Sequence, residues 1–386
     1  MKFGKIMLLI LLILSSSILL CGCWNYVDIE KLSIVEGFAV DKNQQGDKYL
    51  LTLEVINFEM GGKEAKETSR HIEVEGRTIL DAIRNILNLT GRKMYWAHAK
   101  CVIINQDIAK EGLIPILDVI YRDAEIRQEM YVLISTDKTA KEVLEQQMLL
   151  SQTSADNIQH MMTNQKSIGK AKPVKAYELV RELQEVGVSV TLPTIHLVEN
   201  EEIKTAELNG TAIFKSDKLV GFIDSDETRA FLYSIDKIND GLTIVNENST
   251  DHMDNIALEI FKSKTKVKPD YYDGKLTMNI DIKQDVSIAE IGTSVDYIKG
   301  RNRDKLKKDA ENNVKASVEE LIKKVQNEYD ADIFGFGKLL KINMPSVWKS
   351  VEPDWDKLFK ESSIDVNVDI SIKNSALVSK TIKKGD

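Results

Sequence analysis

The amino-acid sequence predicts an α+β (mixed α/β) protein in which mixed sheets are covered by helices. Segments with strand-like alternation are interspersed with segments of helical period, which favours sheets with helices on their faces. A long amphipathic helix is predicted between two strictly alternating segments near the C-terminus. Two polar stretches, around residues 198–202 and 266–274, divide the predicted helices and strands into three groups. A chain of 386 residues is long enough for two or three hydrophobic cores.

The first predicted part, residues 23–200, holds most of the elements. Alternating or wholly apolar segments predict strands at 34–40, 49–56, 70–74, 97–104 and 131–135. Helical spacing of apolar residues predicts helices at 78–89, 107–121, 138–149 and 175–186. The polar residues 61–69 are expected to form a loop. The acidic residues around 198–202 are expected to form a linker.

A smaller part, residues 201–268, follows this linker. Its pattern predicts a hairpin that turns at Ser216-Asp217, then a helix and two strands, at 226–238, 241–245 and 256–266. The segment from Lys266 to Gly274 contains a proline and an Asp-Gly pair, which favour a break. A small α+β domain is therefore expected here.

The last part, residues 269–386, is predicted to be a small sheet with a long amphipathic helix packed on one face. Residues 276–282 and 364–372 alternate strictly between apolar and polar, as half-buried strands do. The helix is predicted over 301–329. Its apolar stripe consists of Leu306, Ala310, Val314, Ser317, Leu321 and Val325.

The N-terminus has the layout of an export signal that ends at a cysteine. Two lysines precede an apolar run at 6–20, and the small Gly22 precedes Cys23. The run is about 15 residues, or roughly 22 Å as a helix, which is short for roughly 30 Å of bilayer hydrocarbon. Residues 20–23 resemble a bacterial lipobox, in which the cysteine receives a diacylglycerol before cleavage on its amino side. We therefore expect residues 1–22 to be a signal peptide and Cys23 to be lipidated, with a plain transmembrane anchor as the alternative.

Cysteine usage and net charge limit the function classes. Apart from Cys21 and Cys23, the chain has only Cys101, so no intrachain disulfide is expected in the mature chain. Cys101 lies in an apolar segment and is expected to be a buried hydrophobe rather than a reactive thiol. The formal charge of −8 argues against nucleic-acid binding, which needs a basic surface. It also argues against broad adhesion to anionic lipid, so the anchor must supply the membrane attachment.

No segment carries a complete catalytic, nucleotide-binding or metal-binding motif. The segment Gly335–Gly337 lacks the third glycine of a dinucleotide fingerprint, and Gly187–Thr191 lacks the second glycine of a nucleophile elbow. His98 and Cys101 are predicted on opposite faces of a strand, so they cannot act together. The five histidines lack the close spacing of a zinc site. No catalytic residue, metal ligand or cofactor is expected.

Two densely charged segments are expected to be solvated helix faces. Within residues 122–127, Asp123 and Arg127 have the i, i+4 spacing of a helical ion pair, which contributes a few tenths of a kcal/mol. A ligand site is the alternative there. The basic residues at 301–308 begin the long predicted helix, and contact with a phosphate or a lipid headgroup is their alternative.

Several segments, taken in order along nearly the whole mature chain, are similar to one family. They are Cys23 to Glu30, His98 to Ile104, Ala109 to Leu113, Arg122 to Arg127, Leu208 to Lys215, Leu219 to Gly221, Glu227 to Arg229, and Phe334 to Gly337 with Pro345, Trp348 and Trp355. Together these segments resemble the C-subunit lipoproteins of spore germination receptors. Asn25 is one departure, because the family commonly has an acidic residue there.

The resemblance implies a three-domain α/β lipoprotein on the outer face of the spore inner membrane. It implies assembly with two polytopic partners, the A and B subunits, into a receptor that senses nutrients and starts germination. It carries over the lipidated Cys23 and no catalytic residue. Trp348 and Trp355 are expected to pack under the C-terminal helices, with partner contact as the alternative. Whether this subunit contacts the nutrient is left open.

Two other function classes are weighed against a receptor subunit that binds partners and performs no chemistry. A solute-binding lipoprotein of a membrane transporter would require a cleft between two domains and a small ligand. An envelope hydrolase would require a pocket that gathers serine, histidine and carboxylate from distant segments. The expected function is the receptor subunit, which is not an enzyme.

Overall fold

The computed structural model of the protein describes residues 3–7, 32–61, 64–246, 255–292, 295–298 and 300–374. Residues 3–7 are helical. The rest of the predicted signal peptide lies outside the described residues, as does the predicted lipidation site Cys23. Within the described ranges, no helix combines the length and the apolar character needed to cross a bilayer.

The larger sheet is built from the strands between residues 32 and 223. They are β1 (Leu32–Lys42), β2 (Tyr49–Gly61), β3 (Glu64–Gly76), β4 (Lys93–Tyr95), β5 (Cys101–Asn105), β6 (Tyr131–Ser135), β7 (Thr191–Asn200), β8 (Ile203–Lys215) and β9 (Lys218–Ile223). Their order across the sheet is β3-β2-β1-β5-β6-β7-β8-β9, and the short β4 also pairs with β1. The centre, from β1 to β7, is parallel, whereas β1–β2–β3 and β7–β8–β9 are antiparallel.

Helices cover both faces of this sheet. They are α1 (Ile79–Thr90), α2 (Gln106–Glu111), α3 (Ile114–Arg122), α4 (Ala140–Leu144), α5 (Ser154–Ile168) and α6 (Ala176–Leu183). Val102 and Ile104 of β5 belong to one apolar core, and Cys101 and Ile103 belong to another. Because alternate residues of a strand point to opposite faces, both faces of the central strands are buried, as a parallel sheet requires.

The smaller sheet lies in the last third of the chain and follows helix α7 (Ser225–Ser234). Its strands, in spatial order, are β10 (Gly241–Asn246), β11 (Asn255–Tyr272), β12 (Lys275–Ile291) and β13 (Ser363–Asn374). Asp273 and Gly274 form the turn between β11 and β12 with φ values of 48° and 77°, the backbone that a tight two-residue hairpin needs.

Strand β13 is parallel to β12, so the chain between them must cross over the sheet. The crossover consists of α8 (Arg301–Lys324), a π-helical turn (Val325–Tyr329), α9 (Phe336–Asn343), α10 (Pro345–Val351) and α11 (Trp355–Glu361). On α8, Val318 is buried where the predicted stripe had Ser317. Glu311 of α8 accepts a hydrogen bond of 2.9 Å from the backbone N–H of Ile370, which covers part of the free edge of β13. The prediction of a long helix packed on a small sheet is confirmed.

Several local predictions were wrong, because strand pairing outweighs local polarity. The acidic residues 198–202, predicted to be a linker, form the end of the β7–β8 hairpin, in which Asn200 pairs with Ile203. The polar residues predicted to form a loop at 61–69 mostly extend β2 and β3 into a long hairpin. By contrast, the helices predicted around 107–121 are present as α2 and α3, which are separated at Gly112, where φ is 138°.

The three-domain division with boundaries at 200/201 and 268/269 stays a prediction. In the structure, the first boundary lies in the turn of the β7–β8 hairpin and the second lies within β11. Ile213 of β8 and Ile223 of β9 share one apolar core with the smaller sheet. The two sheets are therefore connected by continuous packing.

Candidate functional site

The two sheets meet at a joint where two backbone segments touch. We define the joint as residues 187–189, which follow α6, together with residues 329–338, which lead into α9. The backbone N–H of Lys338 donates to the carbonyl of Gly187 at 3.0 Å. A Cβ atom on Gly337 would lie 2.7 Å from the Cα atom of Gly187, so only glycine permits this approach. Both glycine segments that failed as catalytic motifs thus serve close backbone packing.

Asp332 organises the loop at the centre of the joint. Its Oδ1 atom accepts hydrogen bonds from the N–H groups of Phe334 at 3.2 Å and Phe336 at 3.1 Å, and its Oδ2 atom accepts one from Gly337 at 2.8 Å. Its backbone carbonyl accepts a hydrogen bond of 2.7 Å from the N–H of Ser189. Burial raises the pKa of Asp332 from 3.8 to about 7, although the N–H groups favour the ionised form. The buried carboxyl group therefore holds the loop and titrates near neutral pH.

An aromatic cluster supports this loop from the side of the C-terminal helices. The rings of Phe334 and Phe336 stack with centroids 5.1 Å apart, and those of Trp348 and Trp355 lie 5.4 Å apart. Both tryptophans are buried, which confirms that they pack under the C-terminal helices. Their indole N–H groups are buried with no hydrogen-bond partner among the described residues.

Two further contacts join the smaller sheet's crossover to β8 and β9. The hydroxyl of Tyr329 donates to a backbone carbonyl of β9 at 2.8 Å, and its ring lies directly against Gly221. Lys215 of β8 forms ion pairs with Asp330 at 2.6 Å and with Asp356 at 2.9 Å. The joint therefore combines backbone, aromatic and ionic contacts, and this arrangement disfavours relative movement of the two sheets.

An open cavity of about 400 Å³ lies beside the joint. Its floor is apolar and includes Val188, Ile333, Phe334 and Leu339, and its rim carries charged side chains from α6 and from the turn after α7. Cavities of this size with an apolar floor and a few polar groups are typical of small-ligand sites. None of the sequence motifs indicated it, because its lining comes from five separate segments, around residues 172, 181–188, 234–237, 265–267 and 333–339.

A second polar cluster is buried between the larger sheet and the start of α5. The carboxylate of Glu54 accepts hydrogen bonds of 2.8 Å from the N–H groups of both Ser154 and Ala155, the first residues of the helix. Burial raises the pKa of Glu54. Lys100 pairs with Glu36 and, at 2.9 Å, with a carboxylate on α5. Because these groups bind one another, the cluster holds α5 on the sheet.

The structure gives His98 and Cys101 separate structural roles. His98 ends a one-turn 3₁₀ helix (Trp96–His98) instead of lying on the predicted strand, and its ring contacts the carboxylate of Glu36. Cys101 is fully buried at the start of β5, and burial raises the pKa of its thiol. The prediction that Cys101 is a buried hydrophobe is confirmed.

The predicted ion pair between Asp123 and Arg127 was wrong. Helix α3 ends at Arg122, and the Asp123 carboxylate accepts a hydrogen bond of 2.9 Å from the N–H of Glu125 in the turn that follows. A short polar side chain that bonds the backbone two residues ahead ends the helical pattern. Glu125 pairs instead with Lys93.

The basic start of α8 is partly used within the fold. Lys307 lies 3.3 Å from Asp369 of β13 and 3.4 Å from Glu311. Elsewhere, the described residues contain no group of three or more His, Cys, Asp or Glu side chains arranged to hold a metal ion.

Two family models match adjacent parts of the chain. The model described as "Spore germination protein N-terminal domain" matches residues 25–197, and the model described as "Spore germination B3/ GerAC like, C-terminal" matches residues 209–376. The chain belongs to the GerAC family of spore germination proteins. The resemblance to the C subunits of germinant receptors is thereby confirmed. The interval between the two matches, residues 198–208, lies in the β7–β8 hairpin of the larger sheet.

Individual relatives of this GerAC-family chain match over nearly their whole length. Spore germination protein B3 of Bacillus subtilis (strain 168) is 28% identical over 382 residues, covering 94% of this chain and 96% of the relative. Spore germination protein KC of the same strain is 21% identical and covers 97% of each chain. GerQC of Bacillus cereus is also 21% identical and covers 95% of this chain and 98% of its own.

A solved structure supports the fold. The crystal structure of the GerBC protein is 22% identical to this chain, with a TM-score of 0.56, and covers 88% of this chain and 97% of the GerBC chain. The predicted α+β class with mixed sheets is confirmed. The family resemblance pointed to residues 334–337 but not to Asp332, around which those residues turn.

Proposed function

We propose that the chain is the lipid-anchored C subunit of a nutrient germinant receptor. Lipidated Cys23 would hold it on the outer face of the spore inner membrane, where it would assemble with polytopic A and B subunits. The observation that carries the proposal is the match of both GerAC-family models along almost the entire chain. Matches to germination proteins over their full lengths favour this function over that of a transporter's solute-binding lipoprotein.

Tether length supports a working position close to the membrane. Leu32, the start of β1, lies nine positions after Cys23. At roughly 3.5 Å per residue, they reach no more than roughly 30 Å. At about 0.8 kcal/mol per buried methylene, two acyl chains anchor a protein stably whereas one does so marginally. The larger sheet would thus remain beside the bilayer and near membrane-embedded partners.

The buried polar groups support a binding role rather than catalysis. Asp332 and Glu54 are occupied by backbone N–H groups, and the thiol of Cys101 is fully enclosed. Each of these groups stabilises the fold in its present position. We therefore propose that the chain acts through contacts with its partner subunits and is not an enzyme.

The test compares Cys23→Ala with Cys21→Ala in spores whose only receptor of this type contains the chain. Cys21 is a matched control because it lies in the same short segment but would be removed with the signal peptide. Three quantities are measured: palmitate incorporation into the chain, its amount in the inner-membrane fraction, and germination in response to nutrients.

Cys23→Ala is expected to abolish palmitate incorporation and to reduce both the membrane-bound amount and nutrient germination. Cys21→Ala is expected to leave all three unchanged. Continued palmitate incorporation in Cys23→Ala would contradict lipidation at this residue. Normal membrane retention and germination without palmitate would contradict an essential anchor and would mean that the partner subunits alone hold the chain.

A further inference from the structure

The lining of the cavity beside the joint carries four basic and three acidic side chains, an excess of one positive charge. Its acidic rim residues already have partners. Glu182 lies 3.0 Å from Lys172, and Glu185 lies 2.9 Å from Lys338. A third acid, Asp236, accepts a hydrogen bond of 2.7 Å from the backbone of β11 and contacts a lysine of the same strand.

Two cations of the rim do not take part in these ion pairs. Arg181 of α6 and Lys237 of the turn after α7 both line the cavity. Among the described residues, neither side chain forms a hydrogen bond or an ion pair within 4 Å. Arg181 acts on Glu185 only at longer range, where its charge adds to the hydrogen bond from Lys338 in lowering the pKa of that carboxyl group. Because every acid of the rim is paired, these two cations leave the cavity positively charged, and a ligand that complements it would be an anion.

The floor of the cavity and the adjoining loop narrow the class of anion. Phe334, Ile333 and Val188 present apolar surface, which favours a ligand with an apolar body. Phosphate sites commonly use free backbone N–H groups of a glycine-rich loop. Here the N–H groups of Phe334, Phe336 and Gly337 already donate hydrogen bonds to Asp332. They are therefore not free to bind a phosphate. A carboxylate, which side-chain cations can hold without that loop, fits better.

We propose that this cavity binds a small organic monocarboxylate. Arg181 and Lys237 hold the carboxylate by charge-assisted hydrogen bonds, and the apolar body of the ligand rests on Phe334. The cavity lining includes residues of α6, the turn after α7, strand β11 and the joint, so a bound ligand contacts segments that pack on both sheets. The isolated chain is expected to bind the carboxylate without partner subunits.

The test is calorimetric titration of the full chain, purified in detergent, with a micelle-only blank. The probes are 3-phenylpropanoate, its neutral analogue 3-phenylpropanamide, and inorganic phosphate. They are applied to the unmodified chain, to Arg181→Gln, to Lys237→Gln and to the double variant. The matched control is Arg84→Gln/Lys349→Gln, which removes two exposed cations outside the cavity lining. Urea unfolding midpoints check that every variant is folded.

Saturable binding of 3-phenylpropanoate is expected, with the amide and phosphate binding at least tenfold more weakly. Each single variant should weaken carboxylate binding by about tenfold, and the double variant by more. The control should bind like the unmodified chain. Equal binding of acid and amide, undiminished binding by the folded double variant, preferential binding of phosphate, or no binding of the carboxylate would each overturn the proposal. These results are independent of palmitate incorporation at Cys23, so the two proposals fail separately.

Discussion

Replacing Asp332 by Asn is expected to remove one pH-dependent component from the stability of the chain. The carboxyl group is buried at the joint and accepts three backbone N–H groups, and burial raises its pKa from 3.8 to about 7. Because its pKa is higher in the folded chain, the folded state binds more protons than the unfolded state between these two values. The free energy of unfolding therefore falls as the pH rises from about 4 to about 7, and this component is constant above that range.

The magnitude follows from the two pKa values. The difference between these two pKa values means that Asp332 contributes about 4 kcal/mol to the free energy of unfolding at low pH. About 2.5 kcal/mol of this contribution is lost between pH 5 and pH 8. Asn is neutral throughout, so Asp332→Asn lacks this component. Its amide places a donor against one backbone N–H, a pH-independent cost of about 1–3 kcal/mol. Between pH 5 and pH 8, the free energy of unfolding of the unmodified chain should therefore fall by about 2.5 kcal/mol relative to that of Asp332→Asn.

The assay is urea unfolding at pH 5, 6, 7 and 8, followed by circular dichroism and tryptophan fluorescence, with linear extrapolation to water. Other buried acids, such as Asp41 and Glu54, are present in both chains, so their contributions cancel in the difference. Asp365→Asn, at an exposed position of β13, is the matched control and should follow the unmodified chain at every pH. If the difference in free energy of unfolding between the unmodified chain and Asp332→Asn changes by less than about 0.5 kcal/mol over the four pH values, burial does not raise the pKa of Asp332 as stated.

Three further predictions concern packing and burial. Gly221→Ala places a Cβ atom 2.1 Å from the ring of Tyr329 and should lower the free energy of unfolding by about 1–3 kcal/mol; an equal loss in a Tyr329→Ala background would show that the ring is not the cause. Glu54→Ala leaves two buried N–H groups of α5 unpaired and should cost about 2–5 kcal/mol in urea unfolding, whereas an unchanged midpoint would contradict the helix-capping role. Cys101 should react with a thiol reagent only after urea unfolds the chain, because the folded structure encloses it, and rapid labelling of the folded chain would contradict this.

The features that the sequence predicted well depend on local periodicity. The strict alternation at 276–282 and 364–372 identified strands β12 and β13, and the apolar stripe from Leu306 to Val325 identified α8, because burial of one face imposes these spacings. The continuously apolar segment around Cys101 indicated a strand buried on both faces, as in the centre of a parallel sheet. Composition near residues 20–23 led to the proposed anchor without any knowledge of the fold.

The features that were missed depend on partners distant in sequence. The acidic residues at 198–202 look like a linker because nothing local indicates that β7 pairs with β8 across them. Asp332 looks like one more charged loop residue, since its burial and its three N–H partners arise only when the following loop wraps around it. The cavity rim is likewise assembled from segments that are separate along the chain. In the sequence, Gly187 and Gly337 belong only to incomplete motifs, and the fold alone shows that their backbones pack against each other.

If this chain is a working subunit of a nutrient receptor, spores need it to respond to nutrients. The most direct measurement is nutrient-induced germination of spores that lack the whole chain and any redundant receptor, compared with the same spores after the unmodified chain is restored. Deletion is expected to abolish the response to nutrients, and restoration is expected to recover it. An unchanged nutrient response in the deletion spores would rule out the proposed receptor role and would favour a solute-binding role for the chain.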